Sequence, residues 1–151
     1  MMTFSRRQFL KSLGAASAVL LTDRAGLPFS TKRSDIEILV VGDSLIWGQG
    51  LLEKDKFYTL TKDALQAKLQ TNVNLKVKAH SGAPIFLSEK EELLLRNAKL
   101  TGRETYHPEV NVSFPSLRHQ IDNARDEYIK DGKSAEDVNL VMLSGGIVDI
   151  S

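Results

Sequence analysis

Residues 36–52 read Ile36-Glu37-Ile38-Leu39-Val40-Val41-Gly42-Asp43-Ser44-Leu45-Ile46-Trp47-Gly48-Gln49-Gly50-Leu51-Leu52. Apart from Glu37, the first six positions are apolar and mostly β-branched, which reads as a buried strand. A strand apolar at nearly every position is buried on both faces, as in a parallel sheet covered by helices. The run stops abruptly at Gly42-Asp43-Ser44-Leu45. In an open α/β sheet, ligands bind outside the carboxyl ends of the strands. Ser44 is therefore the first candidate functional residue.

The rest of the chain repeats this pattern. Residues 56–69 carry Phe57, Leu60, Ala64, Leu65 and Leu69 at helical spacing. Residues 73–79 alternate Val73, Leu75, Val77 and Ala79 with Asn74, Lys76 and Lys78, the period of a strand with one buried face at a sheet edge. That strand ends at His80-Ser81-Gly82-Ala83-Pro84. Ser88-Glu89-Lys90-Glu91 is a capping-box pattern opening a helix to about residue 100. Residues 101–113 form a loop, and Pro115 suits the first turn of a helix. Leu117, Ile121, Ala124, Tyr128 and Ile129 mark one face of that helix, and Asp131-Gly132 stops it. Residues 138–143 are a third, almost wholly apolar strand, ending at Ser144-Gly145-Gly146. Strands alternating with helices predict βαβ units and a parallel sheet, hence an α/β fold.

Composition excludes several functions. The chain has 151 residues, 42% hydrophobic and 26% charged, with net charge +1. That is an ordinary globular composition, and interleaved charges give no nucleic-acid patch. With no cysteine, disulfides, thiolate metal sites and Cys nucleophiles are ruled out. Three scattered histidines show no metal-ligand spacing, and no cofactor is expected. Gly132-Lys133-Ser134 lacks the glycine that a phosphate loop needs at position 127, which is Glu127, so it reads as a turn. Asn111-Val112-Ser113 matches a glycosylation acceptor, which is idle in a bacterial exported protein.

The N-terminus is an address. Ser5-Arg6-Arg7-Gln8-Phe9-Leu10-Lys11 precedes an apolar segment of about 12 residues, shorter than the ~20 that span a bilayer. The arginine pair with Phe9 and Leu10 resembles a twin-arginine export signal. Residues 1–34 are therefore read as signal and linker, and residues 35–151 as the folded part. The export machinery is one expected partner. The expected location is the periplasm or beyond, with the signal either cleaved or kept as an anchor.

Three strand-end blocks carry a resemblance. Gly42-Asp43-Ser44-Leu45 resembles the first block of the SGNH/GDSL hydrolase family. Ala79-His80-Ser81-Gly82-Ala83 is similar to the second, in which a glycine amide serves the oxyanion hole. Gly146-Ile147-Val148-Asp149 is similar to the third, Gly-x-Asn-Asp. The resemblance covers residue 36 onward. It implies a three-layer α/β/α, flavodoxin-like parallel sheet and serine hydrolysis of small-molecule, lipid or carbohydrate esters. On it Ser44 is the nucleophile, and the Ser44 and Gly82 amides form the oxyanion hole. Gly42, Asp43, Gly146, Val148 and Asp149 occupy block positions. Asp43 holds the loop by hydrogen bonds and is not the acid of a triad.

Two departures stand out. Val148 replaces the family's Asn, whose side chain is a third oxyanion donor, and losing one donor typically costs about 10²–10³ in turnover. The family's fourth block, Asp-x-x-His, which supplies base and acid, does not occur in this sequence. The third strand is also followed by no helix. The expectation is an N-terminal fragment of a longer hydrolase domain, incomplete at its C-terminus. His80, close to Gly82 in sequence, is the one histidine considered as a substitute base, against a loop-packing role; His107 and His119 read as surface residues. Trp47 is either an acyl-pocket wall or core packing. Two alternatives stay open: a catalytically dead exported binding remnant of the same fold, and a flavodoxin-like module for a nucleotide or other small ligand.

Overall fold

The structure, a computed structural model, describes residues 35–150. The export signal and linker read at 1–34 lie outside the described residues. Three strands form one parallel sheet in the order β2-β1-β3, with β1 Ile36–Val41, β2 Val73–Val77 and β3 Val138–Leu143. The helices are α1 Ser44–Trp47, α2 Phe57–Leu69, α3 Glu89–Asn97 and α4 Leu117–Lys130. Helices alternate with parallel strands, so the arrangement is α/β. The predicted strand at 73–79 stops two residues early, and it lies at a sheet edge as its alternation suggests.

β1 is central, and its apolar side chains are buried on both faces. Consecutive strand residues point to opposite sides. Ile38 and Val40 pack with Tyr58 and Leu65 of α2, while Leu39 and Val41 pack with Ala124 and Tyr128 of α4. The two helices therefore cover opposite faces of β1. Each of these aliphatic side chains is worth about 1.5–3 kcal/mol when fully buried.

Both covering helices are rotated from the faces that apolarity alone predicts. In α2, Phe57 and Leu60 are exposed while Tyr58 is buried. The Tyr58 ring stacks on Trp47 at 6.2 Å and its hydroxyl donates to Glu53 at 3.1 Å, which fixes the helix about its axis. In α4 the buried face is Leu117, Gln120, Ala124 and Tyr128, whereas Ile121 and Ile129 are exposed. Gln120 displaces Ile121 from the core because its carboxamide has backbone partners there. Pro115 does not enter the helix: Ser116 is the N-cap, accepting from the His119 N–H, and the Phe114–Pro115 bond is cis. The capping box at Ser88 and Glu91 forms as its sequence predicts.

β3 departs furthest from expectation. Its apolar sequence predicts burial on both faces, yet only Met142 is buried. On the α4 face, Val141 and Leu143 lie beside Leu39 and Val41 of β1. α4 sits toward β2 instead, held by Lys76 and Lys78 against Glu127 and by Lys76 against Asp131. Val141 and Leu143 are left 53% and 64% exposed. Leu143 lines a largely apolar groove of about 520 Å³ together with Ile85, Phe86, Leu117, Ile121 and Gly145.

Candidate active site

The parallel register brings the carboxyl ends of the three strands to one edge of the sheet, and backbone hydrogen bonds join the loops that follow. Lys78 N–H donates to Val40 at 2.8 Å, His80 N–H to Gly42 at 3.1 Å, and Ser144 N–H to Val41 at 3.3 Å. Side chains add to this. Ser144 Oγ donates to Asp43 Oδ1 at 3.1 Å, and Ser81 Oγ donates to Gln49 Oε1 at 3.0 Å. The Asp149 carboxylate accepts from Ile85 N–H at 3.1 and 3.2 Å. Asp149 thus ties the loop after β3 to the loop after β2.

Gly42 begins the turn out of β1. Its φ is +145°, and a Cβ there would stand 2.2 Å from the Ser144 carbonyl oxygen and 2.7 Å from Ile46. Only glycine lets the β1 and β3 ends approach this closely. Asp43 follows, fully buried; its Oδ1 caps α1 by accepting from Leu45 N–H at 3.0 Å and also accepts from Ser144. A buried carboxylate with these partners braces a loop. Its other oxygen, Oδ2, has no partner among the described residues.

Ser44 comes next, half-buried. Its carbonyl accepts from Gly48 and Gln49 N–H groups, both at 3.1 Å, which closes the loop back on itself. Among the described residues, neither its hydroxyl nor its own N–H is hydrogen bonded. The Gly82 N–H is likewise undonated. Gly82 has φ +79°, and a Cβ there would collide with Asn111 Oδ1 at 2.2 Å. Gly146 is also left-handed, at φ +96°, and half-buried. Val148, in a one-turn 3₁₀ helix at Val148–Ile150, presents a hydrocarbon side chain and no side-chain donor.

The histidines are committed elsewhere. His80 is buried, with Nδ1 2.7 Å from the Ser81 carbonyl and Nε2 2.8 Å from the Pro115 carbonyl. Both ring nitrogens are occupied, so His80 packs and braces the loop and neither nitrogen is available to Ser44. His107 is exposed, its Nδ1 accepting from Glu109 N–H at 3.4 Å. His119 is half-buried rather than a surface residue; its Nδ1 is 3.1 Å from Ser116 Oγ, and burial pushes its pKa below the ordinary value. Trp47 belongs to the core: it packs on the Ile38 cluster, and Lys56 Nζ lies 3.0 Å over its ring.

Sequence reasoning missed Gln120. It is completely buried, and its side chain closes on the backbone of Gly42 from both sides. Gly42 N–H donates to Oε1 at 2.8 Å, while Nε2 donates to the Gly42 carbonyl at 3.0 Å and to the Pro115 carbonyl at 3.2 Å. Pro115 in turn bonds His80, so one glutamine links the turn before Ser44, the start of α4 and the loop of Gly82. The signal was present: a polar residue at the i+3 position of a helix face otherwise made of Leu117, Ala124 and Tyr128.

Among the described residues no group of three or more His, Asp or Glu side chains is arranged to hold a metal ion. No helix among them is long and apolar enough to cross a membrane. No curated protein and no solved structure matches the chain. A model of the TAT (twin-arginine translocation) pathway signal sequence matches residues 3–22, where Arg6 and Arg7 stand. The chain therefore carries an address for the twin-arginine export machinery, which delivers it to the periplasm or beyond.

Proposed function

We propose that this chain is an exported serine hydrolase of the SGNH/GDSL type, acting on ester bonds of a small-molecule, lipid or carbohydrate substrate. The observation that carries the reading is the condition of Ser44 and Gly82. Among the described residues, both backbone N–H groups and the Ser44 hydroxyl have no hydrogen-bond partner, at the ends of two adjacent parallel strands. The order β2-β1-β3 supports a flavodoxin-like, three-layer α/β/α domain, because flavodoxin-like sheets begin 2-1-3. In such sheets ligands bind at the switch between β1 and β3. Ser44 follows the first of these strands, and Gly145 and Gly146 follow the second.

The chemistry follows from the groups available. Ser44 Oγ attacks the ester carbonyl carbon, the new C–O bond forms, and the carbonyl electron pair moves onto oxygen. The Ser44 and Gly82 N–H groups donate to that oxyanion, the kind of preorganised donor that supplies most of such catalysis. Collapse expels the alcohol, and water then releases the acid from Ser44. The serine proton needs a base of imidazole type, and none of His80, His107 and His119 supplies it in the described geometry.

A second reading, an exported binding protein of the same fold without turnover, is favoured by two observations. Val148 offers no side-chain donor, and both nitrogens of His80 are occupied. Hydrolysis of a short-chain p-nitrophenyl ester, with imidazole added as an external base, decides between them. Release above the protein-free imidazole rate that falls to that rate in Ser44→Ala supports the hydrolase. Equal rates for the two proteins, or ester binding without release, supports the binding protein.

A further inference from the structure

We infer that His80 is a positioning residue: its Nδ1–H fixes the plane of the Ser81–Gly82 peptide and so aims the Gly82 N–H; this rests on the serine-hydrolase reading. The Ser81 carbonyl and the Gly82 N–H belong to one planar trans peptide and point in opposite directions. His80 Nδ1 lies 2.7 Å from that carbonyl oxygen. A carbonyl oxygen only accepts, so Nδ1 is the donor. The Gly82 N–H is thereby turned to the other side of the loop, away from the buried His80 ring.

The two preceding peptides are held by backbone bonds. His80 N–H donates to the Gly42 carbonyl at 3.1 Å, and Ser81 N–H to the Pro108 carbonyl at 2.7 Å. The Ser81–Gly82 peptide has the His80 ring alone: among the described residues no other hydrogen bond reaches its carbonyl or its N–H. Its covalent geometry leaves it free to turn. Rotating the plane by half a turn reverses the sign of φ at residue 82, and glycine, at φ +79° here, accepts either sign. The flipped peptide would set the Gly82 N–H against Nδ1–H, donor against donor, where His80 is 4% exposed and water cannot intervene. Glycine permits both orientations, and the histidine selects one.

The test uses the full chain with a fluorophosphonate probe and imidazole as external base. Ser44 Oγ bonds to phosphorus, fluoride leaves, and imidazole takes the serine proton. An asparagine carboxamide reaches the position of Nδ1, and a glutamine carboxamide that of Nε2, which lies 2.8 Å from the Pro115 carbonyl. Each variant keeps one of the two ring contacts, so their melting temperatures should fall by similar amounts. His80→Gln is expected to slow labelling of Ser44 about 10²-fold, the loss of one oxyanion donor. His80→Asn is expected to recover most of that rate. Nitrogen NMR of the wild-type imidazole rings should find a hydrogen on His80 Nδ1. Equal labelling rates for the two variants, or a wild-type Nδ1 without a hydrogen, overturns the inference and leaves the hydrolase reading standing. Absence of any Ser44 adduct in the wild-type chain overturns both.

Discussion

Replacing Gln120 by methionine keeps the volume of a buried side chain and removes all of its hydrogen bonds. Gly42 N–H then has no acceptor, since Gln120 Oε1 is its only partner among the described residues. The two carbonyls are less affected: Gly42 keeps His80 N–H, and Pro115 keeps His80 Nε2. One orphaned buried donor costs about 1–3 kcal/mol and each bond lost from a still-partnered carbonyl about 0.5–1.5 kcal/mol. The sum, about 2–6 kcal/mol, is a large part of the stability of a domain this size. Thermal melts followed by circular dichroism should fall by about 10–20 °C. Gln120→Glu sharpens the argument. Its carboxylate still accepts from Gly42 N–H but faces two carbonyl oxygens with no proton to give, so at pH 7 it is destabilised. Burial and the carbonyls raise the folded-state pKa of the new carboxyl above its unfolded value. The protonated acid mimics the amide, so the deficit against wild type must shrink as pH falls through that raised pKa. A methionine variant as stable as wild type, or a glutamate deficit that does not change with pH, refutes the reasoning.

Four further outcomes follow from the fold and the export signal. Burial acts to raise the pKa of Glu127, but hydrogen bonds and charge from Lys78 and Lys76 outweigh it and hold the carboxyl below its ordinary value. Its contribution to stability is therefore present above the unfolded carboxylate pKa and lost as pH falls, and Glu127→Gln should flatten the decline in melting temperature between pH 7 and pH 4. Ile38→Ala, at a fully buried position facing α2, should cost about 2–5 kcal/mol in urea titrations. Leu143→Ala, on the exposed side of β3, should change stability by within about 0.5 kcal/mol. Changing Arg6 and Arg7 together to lysine should stop export, and fractionation of the expressing bacteria should then find the chain in the cytoplasm.

The strands were legible in the sequence, and the faces of the helices were not. Runs such as residues 36–41 and 138–143 mark strands because apolar β-branched residues have few other uses at that density. Helix rotation depends on what lies opposite. Ile121 is the more apolar choice for the α4 core, but the backbone of Gly42 needed a partner, and only Gln120 satisfies it. Tyr58 won over Phe57 because Glu53 and Trp47 were in reach of its hydroxyl and its ring. The exposure of β3 was invisible for a related reason: hydrophobicity records what a strand can bury, whereas the lysine–glutamate contacts that draw α4 toward β2 decide what it does bury. At the site, the strand-end positions of Gly42, Ser44, Gly82 and Gly146 were readable from glycine and serine at the ends of apolar runs. The brace of Gln120 and the approach of Asn111 to Gly82 connect residues 78 and 29 positions apart, and local sequence carries no record of them.

The central claim is that Ser44 is a nucleophile. Peptide mass mapping of the chain after reaction with a fluorophosphonate in imidazole buffer tests it most directly. The account predicts one phosphonylated serine, Ser44, and an unlabelled chain for Ser44→Ala. An unmodified Ser44, or an adduct on Ser81 or Ser144 in its place, would contradict it.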